Sequence, residues 1–531
     1  MPSLRIFPRL ATLLLLAVLE VSAHAAALPP AFIDALKQAR IPLDHVAVVV
    51  QDLDAAEPLL AHHADAAMNP ASVMKLVTSF AALQQLGPAY SWSTDIWADG
   101  PIREGVLEGD LIVKGHGDPS LTLERLWLLQ RELRALGVRH IRGNLLLDTR
   151  HFALPPLDPG AFDGEPLALY NAIPGALLAN FNATLLHLKP NGQGVDIVPD
   201  VALPGISTRS ELVLSDSAPC NGWKEAVTPA IPDPARQELV VSGRYPARCG
   251  EQTLSLNLFE PVVTFDFIFR GLWAEAGGTL AGSTLPGMAP STPPLLRFGS
   301  PPLTDILTSL NKHSNNLMTR NLFLALGAQA YGAPATLDKG ARAVTAALAS
   351  RNVSTHKLVL ENGAGLSRIE RVSATTLNQL LRAAYASPLF SEFESSLPLL
   401  AIDGTLKRRF NDSPLAGRAR LCVHRQRTPH GLRHAGQSRQ CQTGAKRPAS
   451  VAGMGMERPA CACRTSLMDH PTPPDWVNWL AQDADGALWG YEAEPNKQDY
   501  GWYENEVGRI VRLVQGTPPL DWEKMLEKRP R

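Results

Sequence analysis

The sequence predicts a mixed α+β fold in which helix-rich flanks enclose a β-rich insert. Three stretches carry that prediction. The first is Asn69-Pro70-Ala71-Ser72-Val73-Met74-Lys75 and the apolar run it opens, where Leu76, Val77, Phe80, Leu83 and Leu86 recur near helical spacing until Gly87-Pro88 stops them. The second is a change of texture over residues 91–260, where short strand-like pieces are separated by Gly, Pro, Asn and Asp. The third is the return of helical periodicity between 265 and 387. The 531 residues suffice for several domains and a large core. A hydrophobic content of 45% and a formal net charge of −1 describe an ordinary globular chain and exclude a nucleic-acid binder driven by whole-chain charge.

Residues 1–25 read as a signal peptide. Arg5 and Arg9 form a basic n-region, Leu10 to Leu19 a short apolar core, and Ala23-His24-Ala25 a small-x-small cleavage site before Ala26, with cleavage after Ala27 as the alternative. The apolar run is too short for a membrane span and carries Glu20 at its end, and no later stretch is long enough. The expected location is therefore periplasmic or otherwise exported, with no transmembrane span and at most a loose attachment to a membrane.

Ala31 to Arg40 follows as a short helix. His45 to Asp52 is a continuous apolar strand, and Leu59 and Leu60 belong to its hairpin partner. Asn69 is a good N-cap and Pro70 suits the first helical position, which puts Ser72 in the first turn and Lys75 one turn on, on the same face. A hydroxyl there lies beside the positive end of the helix dipole, and a lysine within reach can take its proton. Taken alone, the spacing also describes a polar helix face.

Within the insert, strands are expected at Leu107–Lys114, Gly143–Thr149, Leu185–Leu188, Val195–Val198 and Leu254–Leu258, with a helix at Glu124–Leu136 and a turn at Gly115-His116-Gly117-Asp118-Pro119. Cys220 and Cys249 bracket a short segment, and in an exported chain a disulfide between them is the favoured reading. Helices are expected next at Phe265–Ala276, Leu303–Leu310, Asn316–Ala325, Lys339–Ser350 and Ala374–Ser387. One of them opens at His313-Ser314-Asn315-Asn316-Leu317. Ser314 and Asn316 make Ser-x-Asn, which is either a plain helix cap or a second hydroxyl and an amide lining a pocket opposite Ser72.

The combination of Ser-x-x-Lys near the start, Ser-x-Asn far downstream and a large insert between them resembles the penicillin-binding D-alanyl-D-alanine carboxypeptidase/endopeptidases, in the class with long inserted domains typified by penicillin-binding protein 4. Asn362-Gly363-Ala364-Gly365-Leu366-Ser367-Arg368 is similar to that family's D/N-G-S-G-L-S-R turn. Ser396 to Phe410 is similar to its S-L-P-x-x-G-x-D-G-T-L-x-x-R-F segment, and Tyr170 to Asn182 and the cysteine pair also fit. The resemblance covers about residues 26–421. It implies a serine β-lactamase/transpeptidase-type domain, an antiparallel sheet flanked by helices, built from 26–90 and 261–421 and interrupted by one or two inserted β-rich subdomains at 91–260. It further implies Ser72 as acylating nucleophile, Lys75 as its base, Ser314 as proton relay and Asn316 as the residue that orients Lys75 and substrate. The implied substrates are peptidoglycan stem peptides and cross-links, β-lactams are the implied inhibitors, and neither metal nor organic cofactor is implied.

The family's third motif, Lys-Thr-Gly on a strand beside the nucleophile, is expected soon after Ser413 to Leu421. The sequence instead continues Cys422-Val423-His424-Arg425-Gln426-Arg427. From Cys422 to Leu467 there is no Phe, Tyr, Trp, Ile or Asp, and such a stretch cannot build a core. A metal site of Cys441, Cys461 and Cys463 with His430 and His434 lacks a standard zinc spacing. A basic nucleic-acid tail lacks aromatic interleaving. A reading frame shifted next to Leu421 is the preferred account, and it makes 422–467 disordered. Gln442-Thr443-Gly444 comes late and lacks the lysine. Residues 468–531 carry Trp476, Trp479, Trp489, Trp502 and Trp522 and read as a small Trp-rich tail with no assigned role. Two rival functions stand beside the enzyme: a non-catalytic peptidoglycan or penicillin binder, and a β-lactamase, against which the long insert argues.

Overall fold

The structure, a computed structural model, describes residues 27–408 apart from 204–205, 217–218 and 233–237, together with short strands between 437 and 528. The expected signal peptide, the Cys/His cluster and Gln442-Thr443-Gly444 lie outside the described residues.

The first layer holds helix α1 (Pro30–Gln38) and the antiparallel pair β1 (Val48–Val50) and β2 (Leu60–His62). The other edge of β1 pairs in parallel with a strand at Gln437–Arg439, inside the segment that departs from the family pattern. Helix α2 (Met74–Leu86) follows a single 3-10 turn at Ala71–Val73. Every residue of α2 from Met74 to Leu83 is buried. A helix buried on all sides must be central, and here it is. Leu76, Val77 and Phe80 pack among Ile306, Leu310, Leu322, Phe323, Val344, Leu377 and Phe393 of later helices.

The fully buried hydroxyls that α2 takes into this core, Thr78 and Ser79, are both paired, as burial demands. Thr78 Oγ1 donates to the Gly363 carbonyl at 2.7 Å. Ser79 Oγ donates to Asn311 Oδ1 at 3.1 Å, and Asn311 Nδ2 donates to Ser396 Oγ at 2.9 Å. The nucleophile candidate therefore sits at the mouth of a helix locked on all sides.

The insert consists of two β units. The first is a five-stranded sheet of Thr284–Pro286, Leu145–Asp148, Asp110–Gly115, Ser93–Asp99 and Leu296–Gly299, in that order, with a smaller sheet beside it. Helices α3 (Leu123–Ala135) and α4 (Pro261–Glu275) cover it, and Ile96, Leu111, Val113, Leu126 and Leu145 share one core with Phe265, Phe269 and Trp273. The second unit has two three-stranded sheets over 184–256, a core around Leu186, Leu188, Leu239, Val241 and Tyr245, and the Cys220–Cys249 disulfide, whose Cα atoms are 5.2 Å apart.

The boundary expected at 260 differs from this arrangement. Residues 261–299 pack with the insert, because α4 buries its aromatic face on the first sheet and the strands after it extend that sheet. Periodicity shows that a helix buries a face; it does not show which layer receives it. The strand expected at Leu107–Lys114 is likewise two, Val106–Leu107 and Asp110–Gly115.

The chain then returns to α2 with α5 (Leu303–His313), α6 (Asn316–Tyr331), α7 (Leu337–Ala349), α8 (Ala374–Tyr385) and α9 (Phe390–Ser396). The side chain of Asn321 on α6 ties the insert to these helices. It donates to the carbonyls of Gly117 and Gly175 and accepts from the Gly175 N–H. Among the described residues no helix is long and apolar enough to cross a membrane.

Residues 446–531 form a separate unit. Its described strands make an antiparallel sheet of Ile510–Gln515, Ala487–Tyr491, Trp479–Gln482 and Leu526–Lys528, in that order, and a hairpin of Asn496–Gln498 with Gly501–Tyr503.

Candidate active site

Ser72 lies in the 3-10 turn rather than in the α-helix proper. Asn69 acts one step earlier than expected: its Oδ1 accepts the Ala71 N–H at 3.0 Å, while its Nδ2 donates to the Ser367 carbonyl at 2.7 Å. Ala71 takes a left-handed φ of +47°, unusual for a residue with a side chain. The turn is therefore held from two sides, by Asn69 and by the loop at 362–367.

Lys75 is one turn on and buried, with 3% of its surface exposed. Its Nζ has three acceptors: Ser72 Oγ at 3.0 Å, Asn316 Oδ1 at 2.6 Å and the Ala364 carbonyl at 2.6 Å. Burial pulls the amine down from its ordinary value to about 7, with Glu370 opposing that shift and Arg320 adding to it. A lysine of ordinary pKa is protonated at neutral pH and cannot serve as a base; one near 7 can.

Asn316 opens α6. Its amide faces both ways: Oδ1 accepts from Lys75, and Nδ2 donates to the Tyr170 carbonyl of the insert at 3.1 Å. Tyr170 is fixed in turn, because its hydroxyl donates to Asp163 Oδ2 at 2.8 Å and Asn171 Nδ2 donates to Asp163 Oδ1 at 2.8 Å. Beside this strap the Arg368 guanidinium sits over the Phe162 ring at 4.0 Å and donates to the Phe162 carbonyl.

Ser314 does not open a helix. It ends α5 in a left-handed conformation (φ +54°), and the N-cap of α6 is Asn315, whose side chain accepts the Met318 N–H. Among the described residues the buried Ser314 hydroxyl has no hydrogen-bond partner. The structure thus joins Ser72, Lys75 and Asn316 in one hydrogen-bond network and leaves Ser314, the fourth expected residue, outside it.

Sequence reasoning marked the turn at 362–368 but missed that it supplies an acceptor to Lys75. The Ala364 carbonyl contacts Lys75 because residues 361–365 wrap around the carboxylate of Glu370. Its Oε1 accepts the N–H groups of Glu361, Asn362 and Gly363 at 3.0, 2.9 and 2.7 Å, and its Oε2 accepts that of Gly365 at 2.9 Å. Glu370 is fully buried, and burial pushes its carboxyl up against the pull of those four donors. Arg320, one turn beyond Asn316, is half-buried, and its guanidinium donates to the Ala172 carbonyl at 3.0 Å. The glycines of the loop were a legible sign of a tight turn; nothing in the sequence marked Glu370 as its centre.

The chain is similar to known proteins over most of its length. The D-Ala-D-Ala carboxypeptidase 3 (S13) family matches residues 31–421. The match ends at the residue after which the Lys-Thr-Gly motif fails to appear. A D-alanyl-D-alanine carboxypeptidase of an Actinomadura species is 31% identical over 387 residues, 70% of this chain and 71% of that protein. The D-alanyl-D-alanine carboxypeptidase DacB of Haemophilus influenzae is 26% identical over 369 residues, 69% of this chain and 76% of the relative. The crystal structure of penicillin-binding protein 4 from Haemophilus influenzae superposes with a TM-score of 0.60 at 26% identity, covering 70% of this chain and 83% of that one. A second structure of that protein, complexed with a β-lactam, gives 0.58 at 25% identity.

Proposed function

The chain belongs to the D-Ala-D-Ala carboxypeptidase 3 (S13) family, and on that premise we propose that Ser72 is its acylating nucleophile and Lys75 the base. The observation that carries this reading is the Lys75 amine, 3.0 Å from Ser72 Oγ, buried, and with a pKa near 7.

The substrate is a peptidoglycan stem peptide ending in D-Ala-D-Ala, or a peptide cross-link. Lys75 takes the Ser72 proton as Oγ bonds to the scissile carbonyl carbon, and the Ser72 N–H faces the resulting oxyanion. The C–N bond then breaks. The proton passes from Lys75 through the Ser314 hydroxyl to the departing amine, a task open to that hydroxyl because no other partner among the described residues holds it. Asn316 holds Lys75 with its oxygen and aligns the substrate. Water, deprotonated by Lys75, hydrolyses the ester and frees Ser72. A β-lactam follows the first half of this course and stays as a penicilloyl ester.

Two parts of the family's machinery have no counterpart up to Leu421: the lysine that anchors the substrate carboxylate, and the second oxyanion donor. Loss of one oxyanion donor costs about 10²–10³ in rate, so turnover in this chain is slow relative to its relatives. The same gap favours a second reading, a wall or penicillin binder with no turnover. The N-terminal 25 residues export the chain, and it acts in the periplasm or an equivalent compartment.

The test is release of D-alanine from a peptide ending in D-Ala-D-Ala, and of monomers from cross-linked muropeptides, with Ser72→Ala as control. Serine-dependent release supports the enzyme and separates carboxypeptidase from endopeptidase action. Saturable binding of the peptide without release supports the second reading.

A further inference from the structure

We propose that Glu370 is a positioning residue for the Ser72/Lys75 site: its carboxylate shapes the loop that presents the Ala364 carbonyl to Lys75, and it supplies the negative charge that this buried amine faces. The geometry is specific. Four N–H groups of one loop, those of Glu361, Asn362, Gly363 and Gly365, converge on one carboxylate, which turns the intervening carbonyls outward. The Gly363 carbonyl lands on Thr78 Oγ1 and the Ala364 carbonyl on Lys75 Nζ, so the loop meets α2 at two positions one residue apart on the loop and nearly one turn apart on the helix. Glu370 is itself fixed, since its N–H donates to Ser367 Oγ at 3.0 Å.

A structural anchor for a turn needs acceptors, not a charge. A neutral glutamine can present one oxygen to three of the four donors, but its amide nitrogen then opposes the Gly365 N–H. A carboxylate satisfies all four and adds a full negative charge at a buried position, where charges act strongly. The groups facing Lys75 are Ser72 from its own turn, Asn316 and Arg320 from α6, and the Ala364 carbonyl and Glu370 from the loop; of these, Arg320 and Glu370 carry charge and act in opposite senses. Glu361 adds a further carboxylate on the Arg320 side. Glu370 thereby opposes the effect of burial and keeps the amine from losing its proton too early. The lysine remains basic enough to accept a proton from Ser72, and deprotonated often enough at neutral pH to do so.

This inference rests on reading Lys75 as the base, and its test is chosen to stand apart from that reading. The full chain, labelled with ¹³C at lysine Cε, reports the protonation of Lys75 by NMR, with Lys75→Arg identifying the resonance. The wild-type midpoint is expected near 7. In Glu370→Gln it falls by about one pH unit, the low end of the effect of a nearby opposite charge. In Glu370→Asp, which keeps the charge, it lies between the two. The pH at which penicillin acylation rises moves down with it. An unmoved Lys75 midpoint in Glu370→Gln overturns the proposal. If that variant does not fold, a midpoint in Glu370→Asp equal to wild type overturns it. A midpoint that moves in a chain that no penicillin acylates supports the role of Glu370 and refutes the proposed reaction instead.

Discussion

Gly365→Ala places a methyl group where the loop and the nucleophile turn touch. A Cβ at Gly365 would lie 1.7 Å from the Ala71 carbonyl oxygen, 2.2 Å from its carbon and 2.8 Å from the Ser72 nitrogen. These are backbone atoms, so no side chain can swing aside, and the turn and loop must part by about 2 Å to reach ordinary contact. Gly365 also has a φ of +79°, which costs an alanine roughly 1–2 kcal/mol. Overpacking adds about 1–3 kcal/mol, for a total near 2–5 kcal/mol. The displaced residue is Ser72, and misplacement of a reacting group by about 1 Å costs roughly 10² in rate. The assay pairs thermal unfolding with the time course of penicillin adduct formation. Gly192→Ala is the control: it has a similar φ of +86° with nothing among the described residues within 4 Å of its Cβ, so it should lose only the roughly 1–2 kcal/mol of backbone strain and no labelling. A Gly365→Ala protein that labels at the wild-type rate would refute the account of how the Ser72 turn is held.

Three further outcomes follow from the same geometry. Penicillin acylation should rise with pH through about 7 as Lys75 loses its proton, and a flat profile across that range would remove Lys75 as the base. The same group makes stability depend on pH: its pKa falls from 10.5 unfolded to about 7 folded, so the unfolded chain binds the extra proton between those values. Wild type should therefore gain stability relative to Lys75→Met as pH rises from about 7 to 10.5, with its disadvantage greatest below 7; equal pH dependence of the two in denaturant melts would contradict this. Cys220→Ser opens a loop that spans 29 residues, and the chain-entropy cost is about 3–4 kcal/mol, confined to the second insert unit and visible as early proteolysis there with Ser72 labelling intact.

What could be read from the sequence was what local spacing encodes. Ser72 and Lys75 sit one turn apart because of a capped, apolar helix, and Asn316 is recognisable through Ser-x-Asn. The pairing of Asn316 with Lys75 spans 241 residues and became expected only through a family resemblance. The low proton affinity of Lys75 comes from burial by helices far along the chain, which no local pattern reports. Glu370 reads as an unremarkable charge after Ser367-Arg368-Ile369; its meaning lies in four N–H groups that a folded loop turns toward it. Helix α4 was legible as a helix, but its aromatic face could have packed on either flank. Ser314 was expected as the start of a helix and is instead the left-handed link between two, a distinction that depends on the φ of one residue.

The central claim is that this site assembles in a chain lacking the usual third motif. Intact-mass analysis of the purified mature protein after incubation with penicillin, beside Ser72→Ala, tests it most directly. The account predicts a single covalent adduct on the wild-type chain and none on the variant. A folded protein with no adduct, or an adduct that persists in Ser72→Ala, would contradict it.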